Sequence, residues 1–176
     1  MSNKVIGELI GVIAIATSFF VFLSNQRKRI LVMKGILDAL WALNSFFIGA
    51  FTGVVLHFVM IFREFVFYHR IEKKWARSKL WMYFFCAMCF VSPMLEVIKQ
   101  GAFIWVPFIP ACGSVAAVFG LYDKNPQRIR IINFCASVPW LIYAIFTSNI
   151  TQIISTLVVL GSIIVGAIAA RGKKTE

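Results

Sequence analysis

Apolar residues in this chain gather into seven long runs, near Val5 to Leu23, Ile30 to Ile48, Thr52 to Tyr68, Leu80 to Ile98, Phe103 to Tyr122, Ile131 to Thr147 and Ile150 to Ala170. About 20 apolar residues in a helix cross a bilayer core of roughly 30 Å, so each run predicts one membrane-spanning helix. A second regularity lies over the first. An ungapped shift of 99 residues brings Trp41 onto Trp140, Arg29 onto Arg128 and Thr52 onto Thr151, so that the first three runs fall on the last three. The fourth run has no partner. The pattern therefore predicts an all-α membrane protein of seven transmembrane helices, two parallel triple-helix repeats joined by a linker helix in a 3+1+3 layout. The expected divisions are a first repeat over 1–69, a basic loop and linker helix over 70–99, and a second repeat over 100–176.

Composition narrows the solvent. Of 176 residues 60% are hydrophobic and 14% charged, whereas a soluble domain carries nearer a quarter charged. The formal charge of +11 would suggest nucleic acid in a soluble protein, but the cations sit in alternate short loops, which argues for no nucleic-acid partner. Arg27, Lys28, Arg29, then Arg70, Lys73, Lys74, Arg77, Lys79, then Lys124, Arg128, Arg130, and finally Arg171, Lys173, Lys174 make 14 on one side. Only Lys4 and Lys99 lie on the other, with Lys34 and Arg63 inside spans. The positive-inside rule then places the N-terminus outside and the C-terminus in the cytoplasm. The first run is expected to be a retained helix, since its basic residues follow the apolar stretch and no small-residue cleavage site is evident.

The runs IGVIAIATSFF, QRKR, FFIGAFTG with VVLHFVMIFRE, PACGSVAAVFGLYDKNPQRIR and SVPWLIYAIF together resemble the YgjV-type bacterial inner-membrane proteins, which are similar in layout to the SWEET and PQ-loop superfamily. The resemblance implies a multi-pass protein of the bacterial inner membrane with two triple-helix bundles around a central cavity; no cofactor is expected. The chain departs from the PQ-loop pattern after helix one, where Asn25 and Gln26 stand; the second copy has Pro126 and Gln127. Pro110 faces Gly11 at the offset, so a proline hinge is expected in one repeat only.

Polar residues inside the spans are where chemistry can reside, because each is costly in lipid and needs a partner or a wet cavity. At about 1.5 Å per residue Asp38 lies roughly 12 Å from the cytoplasmic boundary and Arg63 roughly 14 Å, which predicts an intramembrane ion pair between Asp38 and Arg63 with Glu64 and Lys34 as a second pair. Such pairs more often fix packing than move protons. Trp41 and Trp140 both fall near the midplane, unlike the interfacial positions expected for Trp81 and Trp105, and two indoles at one depth can stack on a flat solute. In the SWEET group, tryptophans at comparable places line the pocket. His57, opposite Thr156, either titrates and couples a proton or stays neutral on a backbone carbonyl. Asn44, with its counterpart Tyr143, and Asp38, with Ser137, flank the tryptophans at helical spacing. The expected binding set is thus Trp41, Trp140, Asn44, Tyr143, His57, Thr156, Asp38 and Ser137.

Other motifs read more plainly. Cys86 and Cys89 form a CxxC without partnering ligands, so packing is expected rather than a metal site. Ser162, Gly166 and Ala170 make a small-residue ridge suited to close helix contact, within the bundle or in a homo-oligomer. Pro93 is expected to kink the fourth helix. No catalytic constellation is present, which points away from an enzyme. The reading favoured is a transporter of a small polar solute embedded in the lipid bilayer. The alternative is a non-transporting receptor or structural membrane protein, with a membrane thiol oxidoreductase third.

Overall fold

The computed structural model describes residues 3–49, 51–102, 105–148 and 150–172. Among the described residues the chain is all-helical: α1 (Asn3–Phe20), α2 (Arg27–Phe47), α3 (Phe51–His69), a 3-10 turn (Lys74–Arg77), α4 (Leu80–Met88), α5 (Val91–Gln100), α6 (Phe108–Tyr122), α7 (Pro126–Phe146) and α8 (Ile150–Gly172). Four stretches are long and apolar enough to cross a membrane, Arg27–Phe47, Leu80–Ile98, Pro126–Phe146 and Ile150–Ala170; the helical stretches Val5–Phe20 and Phe108–Tyr122 are apolar but shorter. The expected start of the fifth span at Phe103, and Lys173 and Lys174, lie outside the described residues.

Moved by 99 positions, the bounds of α2 coincide with those of α7, both of 21 residues, and the start of α3 falls on the start of α8. Helix α2 packs between α1 and α3, and α7 packs between α6 and α8; the two groups meet through α1 against α8 and α3 against α6, with α4 laid on α6 and α3. Helices α7 and α2 are started differently. Asn125 caps α7 by accepting a hydrogen bond from the Gln127 N–H at 2.9 Å, and Pro126 occupies the first helical position, where its missing N–H costs nothing. Gln26 before α2 makes no such side-chain cap.

Four expectations about the helices change. The helix of the fifth span begins at Phe108, with residues 105–107 outside it. The sixth span begins at Pro126 rather than Ile131, because the Asn-Pro cap starts the helix before the apolar run does. The first ends at Phe20, short of Leu23. The fourth is two helices, α4 and α5, that part at Cys89 and Phe90. Pro93 lies one turn beyond: it has no N–H for the Cys89 carbonyl, and its ring crowds that carbonyl, so the break falls where a proline kink should.

Close approach uses different glycines in the two groups. A Cβ on Gly113 would lie 2.6 Å from the Ala136 carbonyl, and one on Gly120 2.7 Å from the Asn133 amide, so α6 sits directly on α7. In the first group it is Gly7, further out along α1, that admits Ile48.

Candidate functional site

A cavity of about 240 Å³ lies between the two helix groups. Helices α2 and α3 bring Lys34, Asp38, Trp41, His57, Met60 and Arg63 to its wall, while α6, α7 and α8 bring Ser114, Asn133, Ser137, Trp140, Ser155 and Thr156. A second cavity of about 140 Å³ adjoins it across Met60, Arg63, Ser114 and Trp140, and reaches Glu96 of α5 and Tyr143 of α7. Of the eight residues expected to bind, Trp41, Trp140, His57, Thr156, Asp38 and Ser137 share the first cavity, and Tyr143 lines the second, its ring edge-on to Trp140 at 6.4 Å between centroids. Asn44 is not with them. Its amide donates to the Gly7 carbonyl at 2.7 Å and holds α2 to α1, because the three-residue step from Trp41 turns it toward the neighbour that Gly7 and Gly11 let in close.

The expected ion pairs are exchanged. Lys34 Nζ donates to both carboxylate oxygens of Asp38, at 2.9 and 3.1 Å, one helical turn apart on α2. Arg63 donates through Nε and Nη2 to Glu64 Oε1, at 3.1 and 2.6 Å, within α3. Depth was the right guide to which charges cluster, since Asp38 and Arg63 remain electrostatic neighbours. It carries no information on azimuth, and each carboxylate is taken by a cation of its own helix, which needs no register between helices. Asp38, Arg63 and Glu64 are all buried, at 1%, 4% and 3% relative exposure, so the pairing with Lys34 keeps every ion matched in a place where an unmatched one would cost several kcal/mol.

His57 Nδ1 is buried without a hydrogen-bond partner, 3.6 Å from Asp38 Oδ1. That is ion-pair range but beyond a hydrogen bond. Across the cavity its counterpart Thr156 is satisfied, its hydroxyl donating to the Gln152 carbonyl at 2.8 Å, and the Ser137 hydroxyl donates likewise to the Asn133 carbonyl. Asn133, Ser155 and Ser114 were missed by the sequence reading. Asn133 had a signal, standing one turn before Ser137 and two before Trp140 on one face of α7.

At the basic ends of the helices two arginines thought to be loop charges are buried, Arg27 at 6% and Arg130 at 1%. Arg130 donates to the carbonyls of Phe22 and Ser24 at 2.9 and 2.7 Å and to Asn25 Oδ1 at 2.8 Å, all in the loop after α1. Arg27 donates to the Asp123 carbonyl at 2.8 Å, in the loop after α6, and to the Phe67 carbonyl at 2.6 Å. Ser24 and Asp123 occupy equivalent places at the offset of 99, so the second helix of each group clasps the same point of the other group's loop. The small-residue ridge serves the same junction: Ser162 Oγ accepts from the Phe22 N–H at 3.2 Å, and a Cβ on Gly166 would lie 2.1 Å from the Phe22 carbonyl.

Cys86 and Cys89 are free thiols, and the Cys89 Sγ lies 3.2 Å from the Phe85 carbonyl as a donor. Among the described residues no group of three or more His, Cys, Asp or Glu is placed to hold a metal ion. Trp81 is tied by its ring N–H to the Trp75 carbonyl at 3.0 Å.

A family model described as a bacterial inner membrane protein, Imp-YgjV, matches residues 5–174, nearly the whole chain. No curated protein and no solved structure matches. The chain belongs to this family and is a multi-pass protein of the bacterial inner membrane.

Proposed function

Starting from membership of this inner-membrane family, we propose that the chain carries a small polar solute across the membrane through the cavity between its two helix groups. In this reading α1 to α3 and α6 to α8 are parallel three-helix repeats, α4 and α5 form the linker, the N-terminus faces outward and the C-terminus the cytoplasm. The observation that carries it is the cavity of about 240 Å³ walled jointly by both groups, with Trp41 and Trp140 from equivalent positions on it. The two rings supply apolar faces for the body of a solute, and the hydroxyl, amide and charged groups beside them fix its orientation. Arg27 and Arg130 then close the cytoplasmic end, and release of both clasps lets the groups rock apart there.

Purified protein in proteoliposomes, tested for uptake against a panel of radiolabelled small metabolites, checks this. Uptake is expected for at least one solute, falling tenfold or more in Trp41→Ala and in Trp140→Ala, about the loss that goes with one missing stacking contact. Uptake indifferent to both substitutions would place transport elsewhere. Solute binding without uptake would favour the receptor.

A further inference from the structure

We propose that His57 and Asp38 form a proton-binding site, and that the cavity takes its proton together with a small organic monoanion. The inference rests on the transport reading above and names the class of solute. It begins from charge. The four ionised side chains at this level, Lys34, Asp38, Arg63 and Glu64, sum to zero. From the other packed elements the cavity receives Ser114 of α6, Asn133 and Ser137 of α7, and Ser155 and Thr156 of α8, none of them ionisable near neutrality. Cys89 and Glu96 line only the adjoining cavity, beyond Arg63.

His57 is the group that can change this sum. With the ring neutral and its hydrogen on Nε2, the Nδ1 lone pair would face a carboxylate oxygen and no hydrogen bond would form, which accounts for the buried, unpartnered Nδ1 at 3.6 Å from Asp38 Oδ1. A solvent proton added to Nδ1 turns the same contact into a charge-assisted N–H donor to Asp38, with a shift of well under 1 Å in His57. The Nε2 hydrogen stays in place and no other bond changes. Asp38 is then shared between His57 and Lys34, so the Lys34 ammonium is held less exclusively, and the cavity wall carries one net positive charge. A lone charge in a low-dielectric site is costly, and an anion within reach of Lys34 and of the Arg63 guanidinium cancels it. A carboxylate suits those cations, and the two indoles suit a flat body attached to it. Neither a proton without the anion nor the anion without a proton leaves the cavity balanced, so the two travel together.

Calorimetry on the purified full chain tests this, with benzoate as the probe, sorbitol as the neutral control, and buffers of different ionisation enthalpy to count protons. At about pH 8, where an ordinary histidine is neutral, benzoate binding is expected to take up about one proton, and His57→Gln is expected to abolish that uptake while His69→Gln leaves it. Nitrogen NMR of the histidines is expected to show the proton arriving on Nδ1 of His57. Binding of sorbitol but not benzoate, or benzoate binding without proton uptake, would overturn the inference. Uptake that persists in His57→Gln would overturn it too, and would pass the role to Glu64, whose Oε2 is buried and unpaired. The transport reading fails differently: it falls if Trp41→Ala and Trp140→Ala leave binding of every probe unchanged, and it survives if they abolish binding that proves to be proton-independent.

Discussion

The two three-helix groups share a frame and divide the chemistry. Equivalent positions along them hold Asp38 and Ser137, His57 and Thr156, Arg63 and Ser162. In the second group Ser137 and Thr156 are satisfied by carbonyls one turn back, and Ser162 by the Phe22 N–H of the loop after α1. In the first group the ions are satisfied only by one another. Ser137 and Thr156 need only a carbonyl of their own helix, whereas a buried Asp38 or Arg63 depends on its counter-ion being present. The second group is thus the quieter wall and the first the responsive one.

Five substitutions bear on that contrast. Arg63→Met is expected to have the largest effect, about 3–5 kcal/mol, because it strands a buried Glu64 carboxylate. Ser162→Ala at the equivalent place is expected to cost about 1–2 kcal/mol, the loss of one acceptor to a buried N–H. Thermal unfolding in detergent, followed by size exclusion, ranks the two, and equal losses would erase the distinction between the groups. Next comes Gly166→Ala, whose Cβ meets the Phe22 carbonyl at 2.1 Å and must displace the α1 loop. The same change at Gly161, where nothing lies within 4 Å, is expected to stabilise α8 by about 0.5–1 kcal/mol in the same assay. Smallest is the exposed pair of Lys28 with Glu72. The Lys28 hydrogen bond holds the Glu72 carboxyl below its ordinary 4.5, so the pair's contribution is present above that pH and is lost as pH falls below it. Glu72→Gln is expected to leave the melting temperature at neutral pH within experimental scatter and to flatten that acid dependence.

Much of this architecture was legible because hydropathy and punctuation act over whole segments. The shift of 99 carries the observed bounds of α2 onto those of α7, although hydropathy alone starts both helices several residues late. Azimuth was not legible. The turning of Asn44 onto α1 depends on how α2 is rotated about its axis, with Gly7 and Gly11 admitting the close approach, while the exchange of partners among Lys34, Asp38, Arg63 and Glu64 comes from pairing within each helix, which depth does not reveal. Arg130 shows a third kind of loss. As one more cation in a basic loop it fits the charge rule so well that nothing marks it as buried, yet four hydrogen bonds hold it in place.

The reciprocal clasps bear on how the chain is made. When α1 leaves the ribosome, the Phe22 and Ser24 carbonyls have no protein partner, and Arg130 follows more than a hundred residues later. Arg27 likewise waits for Asp123. The first group is therefore unfinished at the end that carries the loop after α1 through most of synthesis, and its completion is a late event that needs the whole polypeptide. A chain cut short before α7 lacks Arg130 and leaves the Phe22 and Ser24 carbonyls without that partner.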